Sequence, residues 1–306
     1  MKFTSEFIWL MDVRASAPRA NGFRRRVVTA LIFAVLCMSY AVRAGAQQRT
    51  DTPPLCGDDG SVYQQHDDSS ASPAPAPKAS SIMREATLRK LPGNFLQDQK
   101  NMWLFPLKLG EGRHWLPATL IVGGTAGLIA ADPQTMPHFR QTTAFSGFSR
   151  VFGGTSSAGI IAAVPATFYV ASLIRKNSYD QSSALLAGEA VADDLVLMVV
   201  MKSITRRQRP DEIAVNGNYS DTFFQSHQSV FGKGTSFPSG HAMMSFSVAT
   251  VFARRYRRHR WIPFVAYGLA SVISFSRVTT GAHFPSDVFL GAALGYAIAR
   301  FDVVRQ

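Results

Sequence analysis

Six apolar segments rich in glycine, alanine and serine lie between positions 115 and 301, and any fold of this chain must bury or embed them. They run over Trp115–Ala131, Gly153–Ile174, Ala184–Met201, Ser239–Ala253, Trp261–Phe275 and Asp287–Phe301. No alternation of apolar and polar positions and no hairpin dipeptide pattern competes with a helical reading. The expected class is therefore all-α, a six-helix bundle. Small residues let helix backbones approach closely, the packing mode of helices in lipid, so a membrane-embedded bundle is expected. Several segments fall short of the roughly 20 residues a spanning helix needs. The third also carries Glu189, Asp193 and Asp194, with Glu189 and Asp193 on one helix face. Such acids either turn into the bundle or mark a helix outside the lipid. A soluble or peripheral bundle is thus the alternative.

Ahead of these segments the chain changes character twice. Arg24-Arg25-Arg26, the apolar run Val27–Val42 and the small residues Ala44-Gly45-Ala46 have the layout of a secretory signal peptide. Residues 1–46 are assigned to it, with an uncleaved anchor as the other reading. Residues 47–93 are polar and rich in Pro, Ser and Ala, a composition that reads as a disordered linker. Residues 94–306 form the expected folded domain, opening with an amphipathic segment over Asn94–Leu109.

The net charge is +12, of which +5 sits in residues 1–46. A basic excess serves nucleic acid, anionic lipid or an acidic substrate. No nucleic-acid motif is present and the charge lies beside apolar segments, so membrane and phosphate are the expected partners. Two cysteines, Cys37 and Cys56, exclude a disulfide framework and a multi-cysteine metal site. The sequence is silent on oligomeric state.

Three short strings carry the chemistry: KSITRRQRP at Lys202–Pro210, FPSGH at Phe237–His241 and SRVTTGAHFPSD at Ser276–Asp287. The second and third place a proline beside a histidine, and proline is favoured at the first position of a helix. Both strings read as helix starts, where free N–H groups and the positive dipole end attract anions. Lys202 and Arg209 are seven apart and share a face if the helix persists that far. Pro210 is expected to end it. Arg206 and Arg207 read as headgroup anchors. Ser239 offers a hydroxyl, Gly240 a close backbone approach and His241 a proton. Arg277 can grip a phosphate with both guanidinium nitrogens. Gly281 permits a turn that returns His283 toward it. His283 and Asp287 are four apart, a spacing at which the carboxylate can accept from one ring nitrogen and leave the other as a nucleophile. A metal held by His241, His283 and Asp287 is the competing reading, and three nearby cations oppose it. No metal and no cofactor is expected.

The ordered set K-x6-RP, PSGH and SR-x5-H-x3-D resembles the type 2 phosphatidic acid phosphatase and vanadium haloperoxidase superfamily, over roughly residues 94–306 and with no departure at a motif position. The resemblance implies that Lys202, Arg209, Arg277, Ser239 and Gly240 hold the phosphate. It implies that His283 attacks phosphorus to form a phosphohistidine, that Asp287 orients it, and that His241 protonates the leaving oxygen, without a metal. The expected activity is hydrolysis of a lipid phosphomonoester or an isoprenoid diphosphate. A soluble periplasmic acid phosphatase is the alternative, and a vanadate-dependent haloperoxidase the less favoured one.

Topology holds a conflict. Five arginines in Arg254–Arg260 favour the cytoplasm by the positive-inside rule, which puts the three strings on the periplasmic face. A cleaved signal peptide followed by three crossings would put them on the other. The basic loop is the stronger signal, and the expected site is periplasmic.

Overall fold

A computed structural model describes residues 84–112, 115–153, 155–228 and 234–304, and every regular element among them is helical. The signal-peptide assignment and residues 47–83 of the linker lie outside the described residues. The helices are α1 Leu91–Trp103, α2 Phe105–Gly110, α3 Trp115–Gln141, α4 Ser146–Phe152, α5 Thr155–Arg175, α6 Ser178–Thr205, α7 Gly240–Arg255, α8 Trp261–Thr279 and α9 Pro285–Ile298. A π-helical turn, Ala299–Val303, extends α9. All six apolar segments are helices, so the all-α expectation is met. α3 runs ten residues past its apolar segment, through Asp132 and two internal prolines.

α7 is the central helix, packed against α5, α6, α8 and α9. Its contact with α9 depends on Gly291 and Gly295. A Cβ on Gly291 would strike the carbonyl oxygen of Ser239, and one on Gly295 that of Met243. Two backbones in contact through glycines four apart form the close crossing that small residues permit. The Ser247 hydroxyl adds a 2.8 Å hydrogen bond to the carbonyl of Gly295. This crossing fixes Ser239 beside Asp287, whose carbonyl accepts the Ser239 N–H at 3.0 Å.

The linker expectation for 47–93 extends too far. Arg84 pairs with Asp98 at 2.7 Å and Glu189 at 2.6 Å, and the Ala86 N–H donates to the Ser182 hydroxyl at 2.8 Å. Composition does not reveal that one arginine can fasten this stretch to buried acids. Glu189, Asp193 and Asp194 face the interior, all 4% exposed or less, which settles the choice their presence in an apolar segment left open.

Among the described residues two helices, α3 and α8, are long and apolar enough to cross a membrane. Both present large apolar side chains outward, including Leu116 and Leu120 on α3 and Phe264 on α8. Exposed apolar side chains of that kind fit lipid contact.

Candidate active site

The first string ends α6 sooner than expected. The helix stops at Thr205, and Arg206 caps it in the left-handed region with φ 42°. Arg209 is extended, φ −81° and ψ 148°, as a residue before proline tends to be. Lys202 and Arg209 therefore meet by a turn of the chain and not along one helical face. Lys202 is buried in the last turn of α6, its Nζ donating to the Thr235 carbonyl. One guanidinium nitrogen of Arg209 donates to the Ala282 carbonyl at 3.4 Å, while its buried Nε has no acceptor.

In the second string Ser239 is the N-cap of α7, its hydroxyl oxygen accepting from the Ala242 N–H at 3.5 Å. Pro238 thus precedes the cap and is not the first helical residue, because the serine takes the capping role. Gly240 opens the helix with Met198 filling the space a Cβ would need. That packing requirement is one the anion reading did not include. His241 follows in the first turn. The third string behaves as expected at its helix start: Pro285 is the first residue of α9. Gly281, at φ 70°, makes the turn before it, and the His283 N–H returns to the Arg277 carbonyl at 3.1 Å. Arg277 is buried at the end of α8, held by the Phe152 carbonyl at 3.1 Å and the Ser276 hydroxyl at 3.2 Å.

These pieces converge. Burial, then the charges of Arg277, His283, Arg209 and Lys202, hold His241 down at about 3. Burial also lowers His283 to about 3, with Arg209 and Lys202 opposing its protonation and Asp287 favouring it. Burial and the nearby Arg209 bring Lys202 down to about 7. All three cations are thus felt at His241, and Arg209 and Lys202 at His283 as well; among the described residues none of Lys202, Arg209 and Arg277 forms an ion pair.

The imidazole of His283 is aligned differently from expectation. Its Nδ1 lies 2.7 Å from the Ser236 carbonyl and 3.5 Å from Asp287 Oδ2. A carbonyl can only accept, so Nδ1 carries the proton and Nε2 keeps its lone pair. Ser236 is the near acceptor and Asp287 stands behind it, receiving the Ser236 hydroxyl at 2.7 Å and the Phe284 N–H at 2.8 Å. Burial would raise Asp287, but Arg207, His283 and Ser236 outweigh it and hold the carboxyl at about 2.

Arg207 is the residue that sequence reasoning missed. It is no headgroup anchor: its side chain is 1% exposed and pairs with Asp287 at 2.6 Å and Asp132 at 2.7 Å. Its guanidinium lies 3.9 Å from the Phe284 ring centre and donates to the Ser286 hydroxyl at 2.7 Å. Asp132 also accepts from that hydroxyl at 2.5 Å. The available signal was Asp132 itself, a carboxylate directly after an apolar run. Nothing local tied it to an arginine 75 positions on. Among the described residues no group of three or more His, Cys, Asp or Glu side chains is placed to hold a metal ion.

Comparison with known proteins matches residues 183–304 to the PAP2 superfamily. Lipid A 1-phosphatase of Rhizobium etli is 36% identical over 100 residues, 33% of this chain and 40% of that protein. Decaprenylphosphoryl-5-phosphoribose phosphatase of Mycobacterium tuberculosis is 34% identical over 114 residues, 37% of this chain and 56% of that protein. The chain therefore spans only 40 to 56% of these relatives' lengths. Among solved structures, a transmembrane PAP2-type phosphatidylglycerolphosphate phosphatase from Bacillus subtilis aligns with 66% of this chain and 92% of its own, at 20% identity and a TM-score of 0.35.

Proposed function

Because residues 183–304 match the PAP2 superfamily, we propose that the chain is a phosphatase acting on the phosphomonoester or diphosphate of a lipid or isoprenoid. The observation that carries this reading is that two buried cations, Lys202 and Arg277, and the half-buried Arg209, none of them in an ion pair among the described residues, surround a neutral imidazole. A phosphate would supply the missing negative charge, and donors fixed in advance stabilise the charge that builds on the transferring group. Both relatives, by their names, act on phosphates attached to lipid-like carriers, which supports the substrate class.

In this mechanism Lys202, Arg209 and Arg277 bind the phosphate oxygens, with Ser239 and Gly240 at the N-terminus of α7 completing the cradle. His283 Nε2 attacks phosphorus, the bond to the leaving oxygen breaks, and a phosphohistidine forms. His241 gives its proton to the leaving oxygen and then takes one from the water that cleaves the intermediate. Burial, with the neighbouring cations, keeps the empty site's His241 deprotonated. The arriving phosphate offsets them, so the substrate itself prepares the acid. Asp287 stabilises the charge that appears on His283. No metal is required for any of these steps.

We place the site on the periplasmic face. The arginine-rich Arg254–Arg260 stretch follows the far end of α7, and α7 is ~24 Å long at 1.5 Å per residue. The positive-inside rule assigns that end to the cytoplasm, and α3 and α8 anchor the bundle in the inner membrane. Residues 94–306 with the 84–93 clasp form the catalytic unit, preceded by a linker and a signal peptide.

The test is phosphate release by purified protein from phosphatidate, phosphatidylglycerophosphate and undecaprenyl diphosphate, with a chelator present. Turnover of at least one is expected, and His283→Ala should abolish it. Activity lost only on chelation, or a near-normal rate in His283→Ala, would refute the mechanism. Release of the protein into the supernatant on carbonate washing would refute the membrane setting alone.

A further inference from the structure

Along α7 from Phe246 to Arg254, running away from His241, a groove of about 730 Å³ opens between α3, α7, α8 and α9. Ile121, Phe246, Tyr267, Phe289, Ala293 and Tyr296 wall it, and Arg254 and Arg257 lie at its basic end. Arg254 is ~20 Å along the helix axis from His241, so the basic end of the groove is separate from the phosphate site, while Phe246 and Phe289 wall the end nearer to it. Two of its four walls, α3 and α8, are the helices long and apolar enough to cross a membrane. A groove flanked by them lies where acyl chains run.

The basic end lacks a counter-charge. The Nε of Arg254 is buried with no hydrogen-bond acceptor, and among the described residues neither Arg254 nor Arg257 forms an ion pair. Burial and the neighbouring guanidiniums of Arg300 and Arg257 push Arg254 below the ordinary arginine range. Like charges crowded at the mouth of an apolar groove call for an anion with a hydrocarbon tail. Guanidinium is the side chain best suited to phosphate oxygens. We propose that this groove binds an anionic membrane phospholipid, one acyl chain between the helices and its phosphodiester on Arg254 and Arg257. Both ester bonds to phosphorus stay intact, so the lipid is a bound ligand and not a substrate. The inference does not rest on the phosphatase reading.

Native mass spectrometry on delipidated full-length protein tests it, with phosphatidylglycerol and phosphatidylcholine of the same acyl chains as probes. The wild type should bind phosphatidylglycerol about tenfold more tightly, equivalent to roughly 1.4 kcal/mol. The Arg254→Gln, Arg257→Gln double variant should bind both lipids alike. Ala293→Trp, which fills the groove, should weaken both. Phosphate release from a soluble phosphomonoester should be unchanged in both variants, which separates this site from the catalytic one. If the double variant does not fold, Arg257→Gln alone, at an exposed residue, carries the comparison. Equal affinities in the wild type, a preference that survives loss of the arginines, or undiminished binding to Ala293→Trp would each overturn the proposal.

Discussion

Arg207 shows at the scale of one residue how the site is kept in order from behind. It is paired with neither imidazole, yet it pairs with Asp287 and Asp132 together, and Asp287 in turn takes the Ser236 hydroxyl beside His283. Removing one partner of a buried ion pair leaves an uncompensated charge, a loss of about 3–5 kcal/mol. Arg207→Met should therefore lower the melting temperature and reduce kcat while leaving KM nearly unchanged, because the guanidinium does not reach the phosphate. Arg207→Lys restores charge but not the two-pronged geometry, and should recover part of kcat. A KM effect as large as the kcat effect would place Arg207 in the binding cradle instead. Lys202 gives a second test. Its ammonium titrates near 7 in the empty site, and kcat/KM reports ionisations of the free enzyme. As pH rises through about 7 the lysine loses its charge, and kcat/KM should fall. In Lys202→Arg the charge persists, so the alkaline limb should move upward whatever the plateau. A limb that stays in place would belong to the substrate's own phosphate or to another group.

At the scale of elements, the α7–α9 crossing positions two of the three strings. Gly291 and Gly295 bring α9 onto the backbone of α7, and overpacking such a contact costs roughly 1–3 kcal/mol. Gly295→Ala should lower the melting temperature and, by moving Asp287 relative to Ser239, reduce turnover. Thr125→Ser, on α3, serves as a control with little effect on either. Thermal melts and phosphate release measure both. These helices were legible because an apolar run with no period-2 pattern has few alternatives. The three strings could be picked out because each groups cationic, hydroxyl or imidazole side chains within a few positions. What could not be read was whatever depends on pairing across the fold. The Asp132–Arg207–Asp287 chain spans 155 positions, so Arg207 looked like one more basic residue after an apolar helix. Serine's capping strength displaced Pro238 from the helix start, and the left-handed Arg206 ended α6 before Arg209. Residues 84–93 looked like linker because the acids that hold Arg84 lie in α1 and α6.

The whole molecule carries a pH dependence of stability that the site alone would not give. Around Arg84, the acids Asp98, Glu189, Asp193 and Asp194 are buried with too few cations, and several of their oxygens have no partner. Burial raises Glu189 despite Arg84, which Asp98 also claims. It brings Asp193 up to about 7, with Gln99 opposing, and lifts Asp194 well above the ordinary range. In the unfolded chain an aspartate titrates near 3.9. A carboxyl whose folded value is raised gives stability that is present below the unfolded value and is lost as pH rises through the folded one. Asp287 has the opposite sign: held at about 2, it gives stability that is lost as pH falls toward that value. The two together predict a maximum near pH 4, with a decline that runs through about pH 7 and levels off toward pH 9. Melting temperatures measured from pH 4 to 9 in one detergent should show it. Asp193→Asn and Asp194→Asn should flatten the alkaline decline, since an amide has no proton to lose, and Asp287→Asn should not. A wild-type profile that rises through pH 8, or an alkaline slope unchanged in both α6 variants, would mean that these acids are already ionised in the fold and that α6 is wetter than its burial implies.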